Sequence, residues 1–170
     1  MLRIDVLVRC FRKALAVMAF GATLAACADT QPRPAFYQNL ARSGGQLDRF
    51  EIGFAPEGWQ GLWDHLKAKG IVDDLILAAG LAKPSTKGKA PYDVFRNRIM
   101  FPIRDARGRC IAFGGRAMDP GDSAKYLNSP ETELFDKGRS LYNHGPAREA
   151  AGKGEPLIVA EGYMDVIALV

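Results

Sequence analysis

"FRNRIMFPIRDARGRCIAFGGRA", Phe95 to Ala117, decides how the chain is organised. Ile99 to Ile103 is one short apolar run, and Cys110 to Phe113 is a second. Between them, Asp105 to Gly108 is rich in turn formers. Two such runs around a polar, glycine-containing turn predict an antiparallel hairpin. Pro102 has no N–H to give to a ladder, so the first strand is expected to lie at an edge or a bulge there. Arg96, Arg98, Arg104, Arg107, Arg109 and Arg116 run through or beside the hairpin.

Upstream, "FEIGFAP" alternates well enough for a strand that Pro56 closes. In "EGWQGLWDHLKAKG", Trp59, Leu62, Trp63 and Leu66 recur at helical spacing, which predicts a helix stopped at Gly70 with both tryptophans as core anchors. "VDDLILAAG" puts Val72, Leu75, Ile76 and Ala79 on one helical face. Lys83 to Pro91 is a breaker-rich loop. Downstream, "MDPGDSAKYLNSPETELFDKG" has little periodicity and reads as ordered loop with short turns, and "AREAAGKG" as a helix tail.

Near the end, "EPLIVAEGYMDVIALV" reads as a strand, Pro156 to Ala160, and a helix start. A short, fully apolar run is the pattern of a strand buried on both faces of an α/β sheet. Sites of open α/β sheets lie beyond the carboxyl ends of their strands, where Glu161 stands. A carboxylate there can hold a hard cation or act as acid or base. A merely solvated strand-end glutamate is the commoner arrangement. Asp165 falls in the first helical turn, where it also suits the helix dipole.

The remaining polar candidates are individually plain. Gly114-Gly115 before Arg116 would let backbone N–H groups approach a phosphate beside a guanidinium fork; the alternative is a solvated hairpin rim. Lys125, Asn128 and Lys137 can grip phosphate or ribose, or simply occupy a connection. His65 and His144 have no ligand-spaced partner and read as ordinary histidines.

Composition bounds the rest. The 170 residues are 48% hydrophobic and 25% charged, as in a globular protein, with a formal net charge of +4. That mild excess suits a phosphate-bearing partner without requiring one. Cys10, Cys27 and Cys110 are scattered and form neither a disulfide framework nor a zinc pattern, so a reducing compartment is the simplest expectation. The first residues argue the other way. Arg3, Arg9, Arg12 and Lys13 precede an apolar run, Ala14 to Ala26, that closes in "LAAC". This resembles a bacterial lipoprotein signal with Cys27 as the lipidated residue, and the run is too short for a stable membrane span.

Taken in order, "IGFAPEGW", "YDVFRNRIMFPIRDARGRCIAFGGR", "KYLNSPETELFDKG" and "LIVAEGYMDVIAL" resemble successive motifs of bacterial DnaG-type DNA primases, from about Leu47 to Val170. The resemblance implies an α/β fold class: an α+β amino-terminal subdomain at 47–154, then the first strand and helix of a Rossmann-like TOPRIM subdomain at 155–170, with 1–46 as leader and linker. It implies a nucleotidyltransferase, a DNA-directed RNA polymerase that makes short RNA primers on single-stranded DNA from ribonucleoside triphosphates. Mg²⁺ or Mn²⁺ would be the cofactor, with no zinc site in this chain, and the cytoplasm the location. A replicative helicase is the partner of full-length family members. Glu161 then matches the metal-linked catalytic acid, with Asp165 as a second candidate ligand. Arg98, Arg116, Lys125, Asn128 and Lys137 match residues that hold nucleic acid or nucleotide.

The sequence departs from that pattern in four respects. No zinc-ribbon motif precedes the core; a "YLxxRG"-like stretch is missing before "RFEIGFAPEGW"; the start is signal-like; and no Asp-x-Asp acids follow Glu161. The expectation is therefore a fragment with little or no activity alone, and poor solubility from unpaired sheet edges. The competing reading is an exported lipoprotein binding module anchored through Cys27.

Overall fold

The computed structural model describes residues 45–86 and 88–170. The leader with its signal-like run, Cys10 and Cys27 therefore lies outside the described residues. Five α-helices occur among the described residues: α1 Gln46–Arg49, α2 Gly61–Ala68, α3 Asp73–Ala78, α4 His144–Gly152 and α5 Tyr163–Ala168. The strands are β1 Gly53–Ala55, β2 Ala82–Lys83, β3 Tyr92–Asp93, β4 Arg98–Arg104, β5 Cys110–Ala117 and β6 Tyr126–Asn128.

The hairpin is the centre of the molecule. β4 and β5 pair antiparallel from Arg98↔Ala117 to Arg104↔Cys110, with an irregularity between Ile103 and Arg104. The expected turn closes at Asp105–Gly108, where Gly108 takes φ +73° and Asp105 Oδ1 accepts the N–H groups of Arg107 and Arg109. β1 and β6 flank the pair, in the order β1-β4-β5-β6. β1 pairs with β4 only as far as Met100, so Pro102 lies past that ladder and next to the bulge, where its missing N–H costs nothing.

Each face of this sheet carries its own core, because side chains alternate along a strand. On one face, Met100 and Phe113 pack with Trp63 and Leu66 of α2, Leu75 and Ile76 of α3, and Phe95. On the other, Ile99 and Phe101 pack with Phe50, Ile52 and Ile167 of α5, while Tyr163 and Met164 lean against them. Phe101, Phe113, Leu66 and Ile76 are fully buried. Burial of each such side chain contributes about 1.5–3 kcal/mol.

Helix α2 has no local side-chain cap. Asp93 of β3 supplies one from 30 residues away: its two carboxylate oxygens accept the Leu62 and Trp63 N–H groups, each at 2.8 Å. Those are the otherwise unpaired donors of a helix start. The small β2–β3 ladder holds Asp93 in place through Ala82↔Asp93.

Four expectations are corrected. Trp59 precedes α2 rather than lying in it, and is 64% exposed, so Trp63 alone anchors the core. Val72 is the exposed residue before α3, off the buried face of Leu75, Ile76 and Ala79. "KYLN" is not loop: Tyr126–Asn128 forms β6, whose three residues are too few to show periodicity. Finally, Pro156 to Ala160 forms no strand; Leu157, Ile158 and Val159 are 64%, 62% and 84% exposed. An apolar run states what a segment would do inside a sheet, but a strand needs a neighbour to take its hydrogen bonds, and among the described residues none pairs with it. The helix after Gly162 forms as expected. Among the described residues, no helix is long and apolar enough to cross a membrane.

Candidate functional site

Three of the polar candidates, Arg116, Lys125 and Asn128, lie where β5 and β6 run side by side. Gly114 pairs with Asn128, and Arg116 with Tyr126. Residues 114 and 116 of β5 share a face, as do 126 and 128 of β6, so these four positions form one patch. The Arg116 guanidinium lies 6.0 Å from the Tyr126 ring centroid, and Lys125 Nζ lies 5.9 Å from it. Two cations thus flank an exposed aromatic face that is 44% accessible.

The turn carrying Glu161 is fastened to this patch. Tyr163, two residues on, donates its hydroxyl hydrogen to Asn128 Oδ1 at 2.6 Å. Its ring stacks on Phe101 at 5.2 Å and meets Tyr142 edge-on at 4.9 Å. Burial raises the Tyr163 phenol above its ordinary value, with the bond to Asn128 working in the opposite direction. Glu161 is exposed; its Cα lies within about 7 Å of the Tyr163 Cα by chain geometry alone. Asp165 is also exposed, and its Oδ2 accepts the Gly162 N–H at 3.2 Å. A Cβ on Gly162 would sit 2.9 Å from that oxygen, which a rotation of the exposed Asp165 side chain would relieve.

Gly114 and Gly115 do not form a phosphate cradle. Both are buried, and each makes room for a side chain of the protein itself. A Cβ on Gly114 would lie 2.5 Å from the Tyr163 ring; one on Gly115 would lie 2.9 Å from Phe95 and 3.1 Å from Arg98.

The same pair of glycines separates two of the candidates. Arg98 packs over Gly115, on the face opposite Arg116. It is buried, 5% exposed, and donates to the Ala124 carbonyl at 2.7 Å and to Asp122 Oδ2 at 2.5 Å. A hydrogen bond from the Ala124 N–H and the nearby Arg98 charge hold the Asp122 carboxyl below the usual range. Arg98 therefore braces the segment leading to Lys125 from inside. Lys137 is exposed, on a 3₁₀ turn capped by Asp136.

One cluster was not legible in the sequence. The Arg96 guanidinium lies 4.2 Å from the Trp59 ring centroid and 5.6 Å from that of Tyr92, and the two rings meet edge-on at 5.8 Å. Helical spacing had assigned Trp59 to the core; the only contrary signal was Gly58 just before it, which takes φ +125°. An exposed Trp59 ring beside a half-buried Tyr92 and a stacked guanidinium is the kind of surface on which unpaired bases stack.

Among the described residues, the titratable groups suggest no nucleophile. Cys110 is buried, which pushes its thiol up to about 12. Among the described residues, no three His, Cys, Asp or Glu side chains form a metal-holding group. The Glu161 and Asp165 carboxylates offer oxygen atoms, the donor type that hard divalent cations take.

Comparison with known proteins gives the family. The profile of the family "DNA primase catalytic core, N-terminal domain" matches residues 27–148. The DNA primase of Salmonella typhimurium is 47% identical over 142 residues, 82% of this chain and 24% of that protein. The DNA primase of Deinococcus radiodurans is 44% identical over 140 residues, again 24% of its length. Among solved structures, the RNA polymerase domain of Mycobacterium tuberculosis primase DnaG, in complex with a double-stranded DNA oligomer with a 6-nucleotide overhang, superposes with TM-score 0.84 at 32% identity, covering 98% of this chain and 51% of that one. A DnaG primase catalytic domain bound to ssDNA superposes with TM-score 0.76 at 40% identity, over 97% of this chain and 52% of that one. The chain thus spans about a quarter of these curated relatives and about half of these solved chains. None of these relatives lends support to the exported-module alternative. With a matched stretch that covers most of its length, the chain belongs to the DNA primase catalytic core, N-terminal domain family.

Proposed function

We propose that this chain supplies the template- and nucleotide-holding part of a primase centre, in which short RNA primers are made on single-stranded DNA by metal-dependent nucleotidyl transfer. The observation that carries the reading is the single patch formed by Arg116, Lys125, Tyr126 and Asn128, fastened through Tyr163 to the turn that bears Glu161. The relatives bound to DNA support it: one solved catalytic domain is bound to ssDNA.

The residues divide the work by chemistry. Arg116 and Lys125 neutralise phosphate oxygens, Arg116 as a planar fork and Lys125 as a point charge. Tyr126 offers a stacking face, and Asn128 a carboxamide donor. Trp59, Tyr92 and Arg96 form a second stacking surface for an unpaired base. Arg98 acts through position, by fixing the loop that ends at Lys125. Lys137 adds positive charge from its turn. Glu161, with Asp165, would hold Mg²⁺ or Mn²⁺, which when bound supplies charge stabilisation for the transferring phosphoryl group. Template and ribonucleoside triphosphates place the work in the cytoplasm, with a replicative helicase as partner of the complete enzyme.

The test is a fluorescence-anisotropy titration of labelled oligothymidylate against salt. Each phosphate neutralised on a single strand contributes about −0.7 to the slope of log K against log [salt], so three or four contacts predict a slope of about −2 to −3. Arg116→Ala is expected to flatten it by about 0.7. Salt-independent binding, or none, would sink the reading. Ribonucleotide incorporation by the isolated chain is expected at background, since the described residues gather no third acid with Glu161 and Asp165.

A further inference from the structure

Tyr163 does more than fill space. It is the first residue of α5, its ring lies across Gly114 of β5, and Gly114 is the register partner of Asn128 on β6. Stacking on Phe101, edge contact with Tyr142 and the vacancy over Gly114 confine the ring on three sides. Its hydroxyl then reaches one strand further, to Asn128 Oδ1 at 2.6 Å. Among the described residues, that is the one hydrogen bond made by the exposed Asn128 side chain.

A carboxamide has one accepting end and one donating end, and a free one rotates to offer either. From this geometry we infer that Tyr163 is a positioning residue: its hydroxyl engages Asn128 Oδ1, which turns the Nδ2 hydrogens away from that bond and leaves residue 128 to offer them as donors. Those donors suit an oxygen acceptor, a phosphate or a base or sugar oxygen. The same bond ties the turn bearing Glu161 to the strand that carries Asn128, so that the acidic and the amide groups are set relative to each other by one side chain. This rests on the proposed template and nucleotide function for its ligand, but not for the pin itself.

The experiment compares the wild-type chain with Tyr163→Phe, Asn128→Ala, Asn128→Asp and the Tyr163→Phe/Asn128→Ala double variant. The probe is a fluorescein-labelled oligothymidylate of about sixteen nucleotides. Tyr163→Phe keeps the ring in place, so its melting temperature should fall by no more than about 4 °C. Its affinity should fall about five- to tenfold, the loss of one oriented hydrogen bond. Asn128→Asp keeps an acceptor for the Tyr163 hydroxyl but removes the donors, so it should melt near wild type and bind at least as weakly as Asn128→Ala. The double variant should bind no more weakly than Asn128→Ala, because Tyr163 acts through Asn128. Wild-type affinity in Tyr163→Phe, or additive losses in the double variant, would overturn the proposal. A separate readout keeps it testable if oligonucleotide binding proves absent and the functional reading fails. By ¹⁵N relaxation, the Asn128 side-chain amide should be ordered in the wild type and mobile in Tyr163→Phe; equal mobility in both would refute the pin on its own terms.

Discussion

Arg98 and Asp122, 24 residues apart in the chain, meet at 2.5 Å between Nη2 and Oδ2. The guanidinium is buried while the carboxylate keeps partial access to solvent, with side-chain exposures of 6% and 31%. The pair closes the loop between β5 and β6 against the underside of the sheet, and the Ala124 carbonyl takes a second guanidinium N–H. Truncating Arg98 strips a buried cation from both partners. Arg98→Ala is expected to destabilise the chain by about 2 kcal/mol, the loss of a buried charged hydrogen bond to the Ala124 carbonyl, since Asp122 can turn to water. Urea unfolding measures it; a change within error would mean the contact is not maintained in solution.

Acid should loosen the same contact. Asp122 and Asp105 both have carboxyls held below their ordinary value. For Asp122 the Ala124 N–H leads; for Asp105 burial works upward but is outweighed by hydrogen bonds from Arg109 and Arg107. Their stabilising contribution is complete above the unfolded value near 4 and is lost as pH falls through the lower folded value. Asp93 runs the other way: burial raises it, so its contribution declines as pH climbs from the unfolded value through the folded one. Melting temperature followed from pH 6 to about pH 2.5 should fall on the acid side, less steeply in Asp122→Asn. An identical slope in that variant would assign the acid sensitivity elsewhere.

Asp93 offers the cleanest test of the long-range cap. Asp93→Ala leaves the Leu62 and Trp63 N–H groups unpaired at the start of α2, the Trp63 one buried. The expected loss is about 2 kcal/mol, combining a lost cap with orphaned donors. Amide exchange at residues 62 and 63 should accelerate ahead of the rest of α2; unchanged protection there would count against the cap.

Trp59 is the converse case, a large side chain whose loss the fold should tolerate. Being exposed, it is expected to change stability by under about 1 kcal/mol when replaced by alanine. Single-stranded DNA affinity should nevertheless drop about tenfold, since stacking on an aromatic ring is worth about 1–3 kcal/mol per base. Arg96→Ala should weaken binding as well. Undiminished affinity in Trp59→Ala would remove this cluster from the interface.

The exposed run Leu157-Ile158-Val159 predicts self-association. Three exposed apolar residues that pair with no strand among the described residues are a template for edge pairing. Val159→Lys places a charge at the most exposed of the three and should lower light scattering at a given concentration while leaving the melting temperature unchanged. Equal scattering would locate the association on another surface.

Residue order by itself determined the hairpin of Ile99–Ile103 and Cys110–Phe113, the helices around Trp63 and Leu75, the helix start after Gly162 and, through motifs spread over most of the chain, the family. These are local matters, set by side-chain period, turn chemistry and residue identity at fixed spacing. Which glycine serves which neighbour was decided only in three dimensions: Gly114 by Tyr163 arriving from 49 positions away, Gly115 by Arg98 and Phe95 on the opposite face. So were the cap from Asp93, the burial of Arg98, the exposure of Trp59, the short strand β6 and the unpaired state of Pro156 to Ala160. A periodic pattern shows which face of an element is apolar, but a strand's partner, a helix's distant cap and the side of a sheet on which a cation ends are properties of pairs of segments, and a single stretch of chain contains only one member of each pair.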